Sequence, residues 1–229
     1  MAAYDRQRIL KAAAKAQANK RSRKAISLYR RVLAVEPSNG ELHAKIAPLL
    51  ARRREHFDAW LSFRAAAQGM LRTGKPERAM AVFTEAAHCV PDEVESWVSL
   101  AKLQRNQRQE RQAVKTLTRG LRHFRSRRQR AQAVYLLRQV REIDPWNFEA
   151  VLELARRLGK MDQGDEANML LCTLARRVSG RKLRRVRSAQ WRLRPTPGHS
   201  WLVIKAAFST ETPPRRSRAG ARAAARARD

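Results

Sequence analysis

The chain has 229 residues, 43% hydrophobic and only 6% aromatic, with nine Gly and nine Pro, too few turn formers for a many-turned β protein. Ala, Leu, Arg, Gln and Glu dominate, and all favour helix. The formal net charge of +30 keeps nucleic acid, an anionic membrane surface and acidic proteins in play as partners, although a GC-rich genome also produces an Arg excess, here 39 Arg to 11 Lys.

Residues 5–20 (DRQRILKAAAKAQANK) predict a polar capping helix within 1–22, as the end of a helical array requires. From residue 23 the apolar residues fall three and four apart, the helical period. The predicted helices cover about 24–36, 41–53 and 56–72, then 78–90, 94–106 and 109–124, then 132–143, 147–159 and 163–177. Asn39, Asp92 and Asn147 are candidate N-caps, and Gly74 and Gly159 candidate helix breaks. Pro48 lies inside the second helix and predicts a kink or a late start there. Residues 180–208 resemble a shortened fourth copy, Pro195 and Trp201 matching Pro145 and Trp97 once four residues are deleted. The tail 209–229 is rich in Pro, Arg and Ala, a composition expected to be disordered.

The three helical triplets are copies of one pattern, offset by 54 residues without a gap from about residue 23 to residue 179. Ala25, Ala79 and Ala133 coincide, as do Tyr29, Phe83 and Leu137, and Pro37, Pro91 and Pro145. Ala59, Ala113 and Ala167 coincide next, then Phe63, Leu117 and Leu171. The copies are therefore 23–76, 77–130 and 131–179. An alanine beside a large residue on one face lets a neighbouring helix approach closely while the large side chain fills the adjoining space. With three helices per copy and antiparallel neighbours, equivalent helices are expected to alternate between two layers.

Trp97, Leu100, Ala101, Ala113, Leu117 and Gly120 follow in the order seen in the tetratricopeptide repeat, as do Leu154, Ala155, Leu158, Ala167, Leu171 and Leu174. Met70, Gly74, Ala79, Phe83, Ala86 and Pro91 give a third partial match. The chain thus resembles tetratricopeptide repeat (TPR) proteins over most of residues 5–179, with an unusual three-helix super-repeat. The resemblance implies an all-α, right-handed α-solenoid of about ten to eleven antiparallel helices. It also implies a non-catalytic scaffold that holds a partner peptide or acidic segment in the groove of one helix layer. If helices 41–53, 76–90, 110–124 and 147–159 form that layer, Arg52, Arg78, Arg119, Arg156 and Lys160 face the groove and can clamp carboxylates.

No zincin, nucleophile-elbow, phosphate-loop or dinucleotide motif occurs, and the five histidines do not pair at metal-ligand spacing. No enzyme, metal or cofactor is expected. Cys89 and Cys172 sit in apolar helical patterns and read as free, buried thiols of a reducing compartment rather than as a disulfide. The N-terminal stretch has no uninterrupted apolar core of a signal peptide, and no run of apolar residues is long enough to span a bilayer, so a cytoplasmic location is expected.

Two further basic features stand apart from the groove. Arg122, Arg125, Arg127, Arg128 and Arg130 cluster at a junction between copies, where a phosphate contact and an ordinary solvated turn are equally consistent. Residues 180–229 hold 12 Arg and two Lys against Glu211 and Asp229, and the tail carries Arg215, Arg216, Arg218, Arg222, Arg226 and Arg228. Such tails bind nucleic acid or anionic lipid without sequence choice. This tail lacks the large apolar residues that a membrane surface takes up. A nucleic-acid-associated repeat protein, binding DNA or RNA through its Arg-rich surface, is the alternative to the scaffold.

Overall fold

A computed structural model of the chain describes residues 5–195 and 197–208. Among these residues every regular element is a helix, and there are twelve rather than ten or eleven. They are α1 (Arg6–Ala18), α2 (Ser22–Leu33), α3 (Gly40–Arg52), α4 (His56–Arg72), α5 (Pro76–Cys89), α6 (Val94–Asn106), α7 (Glu110–Gly120), α8 (Arg130–Ile143), α9 (Phe148–Gly159), α10 (Gly164–Ala175), α11 (Gly180–Leu193) and α12 (Pro197–Phe208). The chain divides into two compact units, with the boundary between Asp144 and Pro145. That boundary falls inside the third copy, between its first and second helices.

The first unit stacks α1 to α8, each helix packing on the next. Its repeat positions are the core. Ala25, Ala59, Ala79, Ala113 and Ala133 are all 0% exposed, and Tyr29, Phe63, Phe83, Leu117 and Leu137 beside them are buried. The proline of each copy is different: Pro37 and Pro145 are exposed and Pro91 half-buried, so it shapes the turn rather than the core. Burying each Leu, Val or Phe contributes about 1.5–3 kcal/mol, which no single triplet realises alone.

Second-neighbour contacts reveal the layers. α3 touches α5, while α6 touches α8. The first helix of the second copy therefore shares a layer with α3, and the first helix of the third copy shares the opposite layer with α6. Equivalent helices alternate between layers, as an odd number of helices per copy demands.

Short turns enforce this folding back. Lys20, Arg54, Gly74 and Arg108 each sit at positive φ after a helix end. In each turn the following N–H bonds the carbonyl five residues back, as in Arg21 to Ala16, Glu55 to Leu50, Lys75 to Met70 and Gln109 to Gln104. This is the Schellman stop, and it consumes carbonyls the helix leaves unpaired. Only one of the four stops uses glycine. A left-handed residue with a Cβ costs about 1 kcal/mol or more, partly offset by the extra freedom glycine has when unfolded. Arg54→Gly with Arg108→Gly is therefore expected to raise stability by about 1 kcal/mol in total, read from the urea midpoint with an unchanged slope.

The 54-residue register also explains the helix starts. Asn39 accepts from the Leu42 N–H at 3.2 Å, and Asn147 accepts from the Ala150 N–H at 3.1 Å. The equivalent cap of α6 is Glu93, not Asp92, and its side chain makes no cap bond. Burial pushes the Glu93 carboxyl above its ordinary value, and the Glu95 charge adds to the rise. Glu93→Asn is expected to restore the missing cap and raise stability by about 1 kcal/mol. A thermal melt of the variant beside wild type at neutral pH checks it.

Two local expectations change. α3 starts at Gly40 and continues through Pro48 to Arg52, so there is no late start. α9 does end at Gly159, where a Cβ would meet Leu193 Cδ1 at 2.5 Å. α7 ends at Gly120, four residues before the expected 124.

In the second unit α9, α10, α11 and α12 pack in sequence, and α9 also touches α11. Leu152, Leu154, Leu158, Ala167, Leu171 and Val186 form its core. α11 and α12 lie where a fourth copy shortened by four residues places its first and second helices.

Candidate protein-binding clefts

Arg52, Arg78, Arg119, Arg156 and Lys160 are all exposed. Arg52 ends α3, where its charge acts on the Cys89 thiol. Burial, with the Glu85 charge, raises that thiol above its ordinary value despite Arg52. Arg78 lines a cleft of about 330 Å³ with Asn39, Gly40, Arg72 and Lys75. Arg119 lines a different cleft, between α5, α6 and α7. In the second unit Arg156 and Lys160 border a pocket of about 240 Å³ with Arg192 and Leu193.

The α5–α7 cleft is the better-built site, at about 530 Å³. Its apolar lining is the half-buried Val114 on α7 with the edges of the buried Ala87 on α5 and Trp97 and Leu100 on α6. Thr84, Thr116 and Thr118 bring hydroxyls to it, and Lys115, Arg119 and Arg122 bring three cations. No carboxylate is among its lining residues.

Local bonds hold these walls. The Trp97 Nε1–H donates to the Pro91 carbonyl at 2.9 Å, and the His123 ring stacks on the indole with centroids 5.5 Å apart. The same tie recurs one copy earlier, where His43 Nε2 lies 2.9 Å from the Pro37 carbonyl; a carbonyl only accepts, so this nitrogen carries the proton. The Thr116 hydroxyl donates to Gln104 Oε1 at 2.8 Å inside the core. That buried bond fixes the rotation of α7 against α6, and with it the side from which Lys115 and Arg119 project.

The five-arginine cluster divides. Arg122 joins the cleft. Arg125, Arg127 and Arg128 are exposed in the connection between α7 and α8, and Arg130 begins α8 half-buried. Phe124 is fully buried in the midst of the cluster and pins the connection to the core. The tail arginines Arg215, Arg216, Arg218, Arg222, Arg226 and Arg228 lie outside the described residues. Lys115 and the three threonines escaped the sequence reading, because helical period alone does not tell which exposed positions of α5 and α7 face each other.

The second unit binds its own charges differently. Arg185 donates twice to the Glu149 carboxylate, at 2.6 and 2.8 Å. These bonds hold the Glu149 carboxyl below and the Arg185 guanidinium above their ordinary values. Arg177 lies 3.4 Å over the Trp146 ring, a contact favoured by the ring quadrupole. Among the described residues no group of three His, Cys, Asp or Glu side chains is placed to hold a metal.

No family model matches the chain, and no curated protein matches it. Solved structures do resemble it in fold. PilF of Pseudomonas aeruginosa is 15% identical, with a TM-score of 0.30 and 89% of each chain covered. YrrB, a TPR protein with an unusual peptide-binding site, is 12% identical over 88% of this chain and 92% of its own, with a TM-score of 0.28. A tetratricopeptide repeat protein of Parabacteroides merdae is 11% identical over 90% of this chain and 94% of its own, with a TM-score of 0.30. Superpositions this loose transfer neither register nor groove, so partner contacts have to be read from the residues of this chain. Among the described residues the chain is an all-α array of packed helices, and its repeat pattern is similar to that of TPR proteins.

Proposed function

We propose that the chain is a non-catalytic interaction scaffold whose α5–α7 cleft takes an extended acidic segment of a protein partner. The supporting observation is the composition of that cleft. An apolar strip, made of the half-buried Val114 and the edges of the buried Ala87, Trp97 and Leu100, lies beside Lys115, Arg119 and Arg122, with no carboxylate in the lining. Apolar side chains of a bound segment bury against the strip, and its carboxylates take charge-assisted hydrogen bonds from the cations. The exposed Thr84 and Thr118 hydroxyls donate to their own helices, and their spare lone pairs suit backbone N–H groups of a peptide.

The test is an affinity purification from nuclease-treated lysate, with captured proteins identified by mass and the binding segment mapped by peptide array. The expected result is a protein captured through a segment rich in Asp and Glu, competed off by the corresponding synthetic peptide. Capture that vanishes with nuclease, or a mapped segment without acidic residues, refutes the reading; the first outcome assigns the surface charge to nucleic acid instead.

A further inference from the structure

α11 and α12 pack on each other at the end of the second unit. Val186 and Ala189 on α11 and Ala206 on α12 are buried. The outer faces are of two kinds. Trp201 and Ile204 stand nearly one helical turn apart on α12, 63% and 50% exposed, and Trp191 on α11 is 44% exposed. Arg181, Arg184 and Trp191 follow the i, i+3, i+10 positions of one α11 stripe. Arg185 and Arg194 are engaged by Glu149 and Asp165, but Arg181, Arg184 and Arg192 have no acidic partner among the described residues.

A single exposed Trp needs no explanation. Two Trp and an Ile uncovered within one helix pair, bordered by unpaired Arg, make a surface whose complement is both apolar and anionic. A bilayer surface has that composition: acyl chains below, phosphates above, with Trp favoured where the two meet. Nucleic acid fits less well. Bases stack on Trp, but an aliphatic Ile204 has no counterpart there, although the exposed Lys205 beside it suits a phosphate of either partner.

We propose that the α11–α12 pair is a peripheral docking surface for anionic lipid bilayers. Trp201 and Ile204 enter the boundary between headgroups and acyl chains, while Arg181, Arg184 and Arg192 bond headgroup phosphates. The sequence just beyond α12 adds Arg215, Arg216, Arg218, Arg222, Arg226 and Arg228, the polybasic pattern that strengthens attraction to an anionic leaflet. Among the described residues no helix is long and apolar enough to cross a membrane, so the contact lies on the surface.

The test is flotation of the full chain with vesicles of phosphatidylcholine alone and of phosphatidylcholine mixed with phosphatidylglycerol. Partitioning is expected to be at least about tenfold stronger on the anionic vesicles. Trp201→Ser with Ile204→Ser is expected to reduce it about tenfold, with the circular dichroism spectrum unchanged because both side chains are exposed. Arg181→Glu with Arg184→Glu and Arg192→Glu is expected to reduce it at least as much. Equal flotation on both vesicle types overturns the proposal, as does wild-type flotation of the Trp201–Ile204 variant. Failure to bind vesicles, with single-stranded RNA bound through the same two residues, overturns it in favour of nucleic acid.

Discussion

Replacing Gly120 by leucine is expected to destabilise the first unit by about 3 kcal/mol or more. A Cβ at this position would lie 2.7 Å from two ring atoms of Trp97 and 3.2 Å from its Cβ. The indole is held in place. It is 3% exposed, tied through Nε1 to the Pro91 carbonyl and covered by the His123 ring. Overpacking of this kind costs about 1–3 kcal/mol, and losing the indole hydrogen bond adds about 1 kcal/mol. The register supplies a rescue. In the third copy the positions equivalent to Trp97 and Gly120 are Val151 and Leu174, a small residue with a large one in place of large with small. Trp97→Val with Gly120→Leu is therefore expected to be more stable than Gly120→Leu alone by at least about 1 kcal/mol, a coupling measurable by urea titration of the four proteins in the cycle. Additive losses would show that the two positions do not share one packing site.

The same pair accounts for much of what sequence did and did not reveal. Repeat positions were legible because burial imposes residue type: Ala25, Ala79 and Ala133 recur where helices approach, and all three are fully buried. The alternation of layers followed from counting helices. The early end of α7 was not legible. His123 has to fold back onto Trp97 and Phe124 into the core, and both are long-range contacts that periodicity along one helix does not encode. The end of α7 is also why the second copy lacks a left-handed stop at Arg128, the position equivalent to Lys20 and Gly74. Stops at Lys20, Arg54 and Arg108 were invisible for another reason, since Lys and Arg carry no turn signal and only Gly74 does. Glu93 was missed as a cap because its side chain does no capping. Of the expected groove residues, Arg119 lines the α5–α7 cleft and Arg78 opens onto another. The rotation of each helix about its axis, set in α7 by the buried Thr116–Gln104 bond, decides such matters.

Reversing the three cleft cations, Lys115→Glu with Arg119→Glu and Arg122→Glu, is expected to weaken binding of the acidic partner segment at least about 100-fold at physiological salt. Charge-assisted hydrogen bonds reach about 1.5–3 kcal/mol each. The three side chains are exposed, so about 1 kcal/mol apiece is the appropriate share. Together that is about 3 kcal/mol, or roughly two orders of magnitude in Kd, and the new carboxylates repel the ligand besides. None of the three makes an ion pair among the described residues, so the fold is not expected to suffer. The informative control is Arg125→Glu with Arg127→Glu and Arg128→Glu. It changes net charge by the same amount, a few residues away, without touching the cleft lining. Its effect acts through solvent over a distance that salt screens, with a Debye length of about 8 Å at physiological ionic strength. It is expected to slow association at low salt and to change affinity less than about fivefold at physiological salt. Calorimetric titration of the mapped peptide into the three proteins separates the cases. Equal losses from both triple variants would mean that net charge, rather than the α5–α7 cleft, holds the partner.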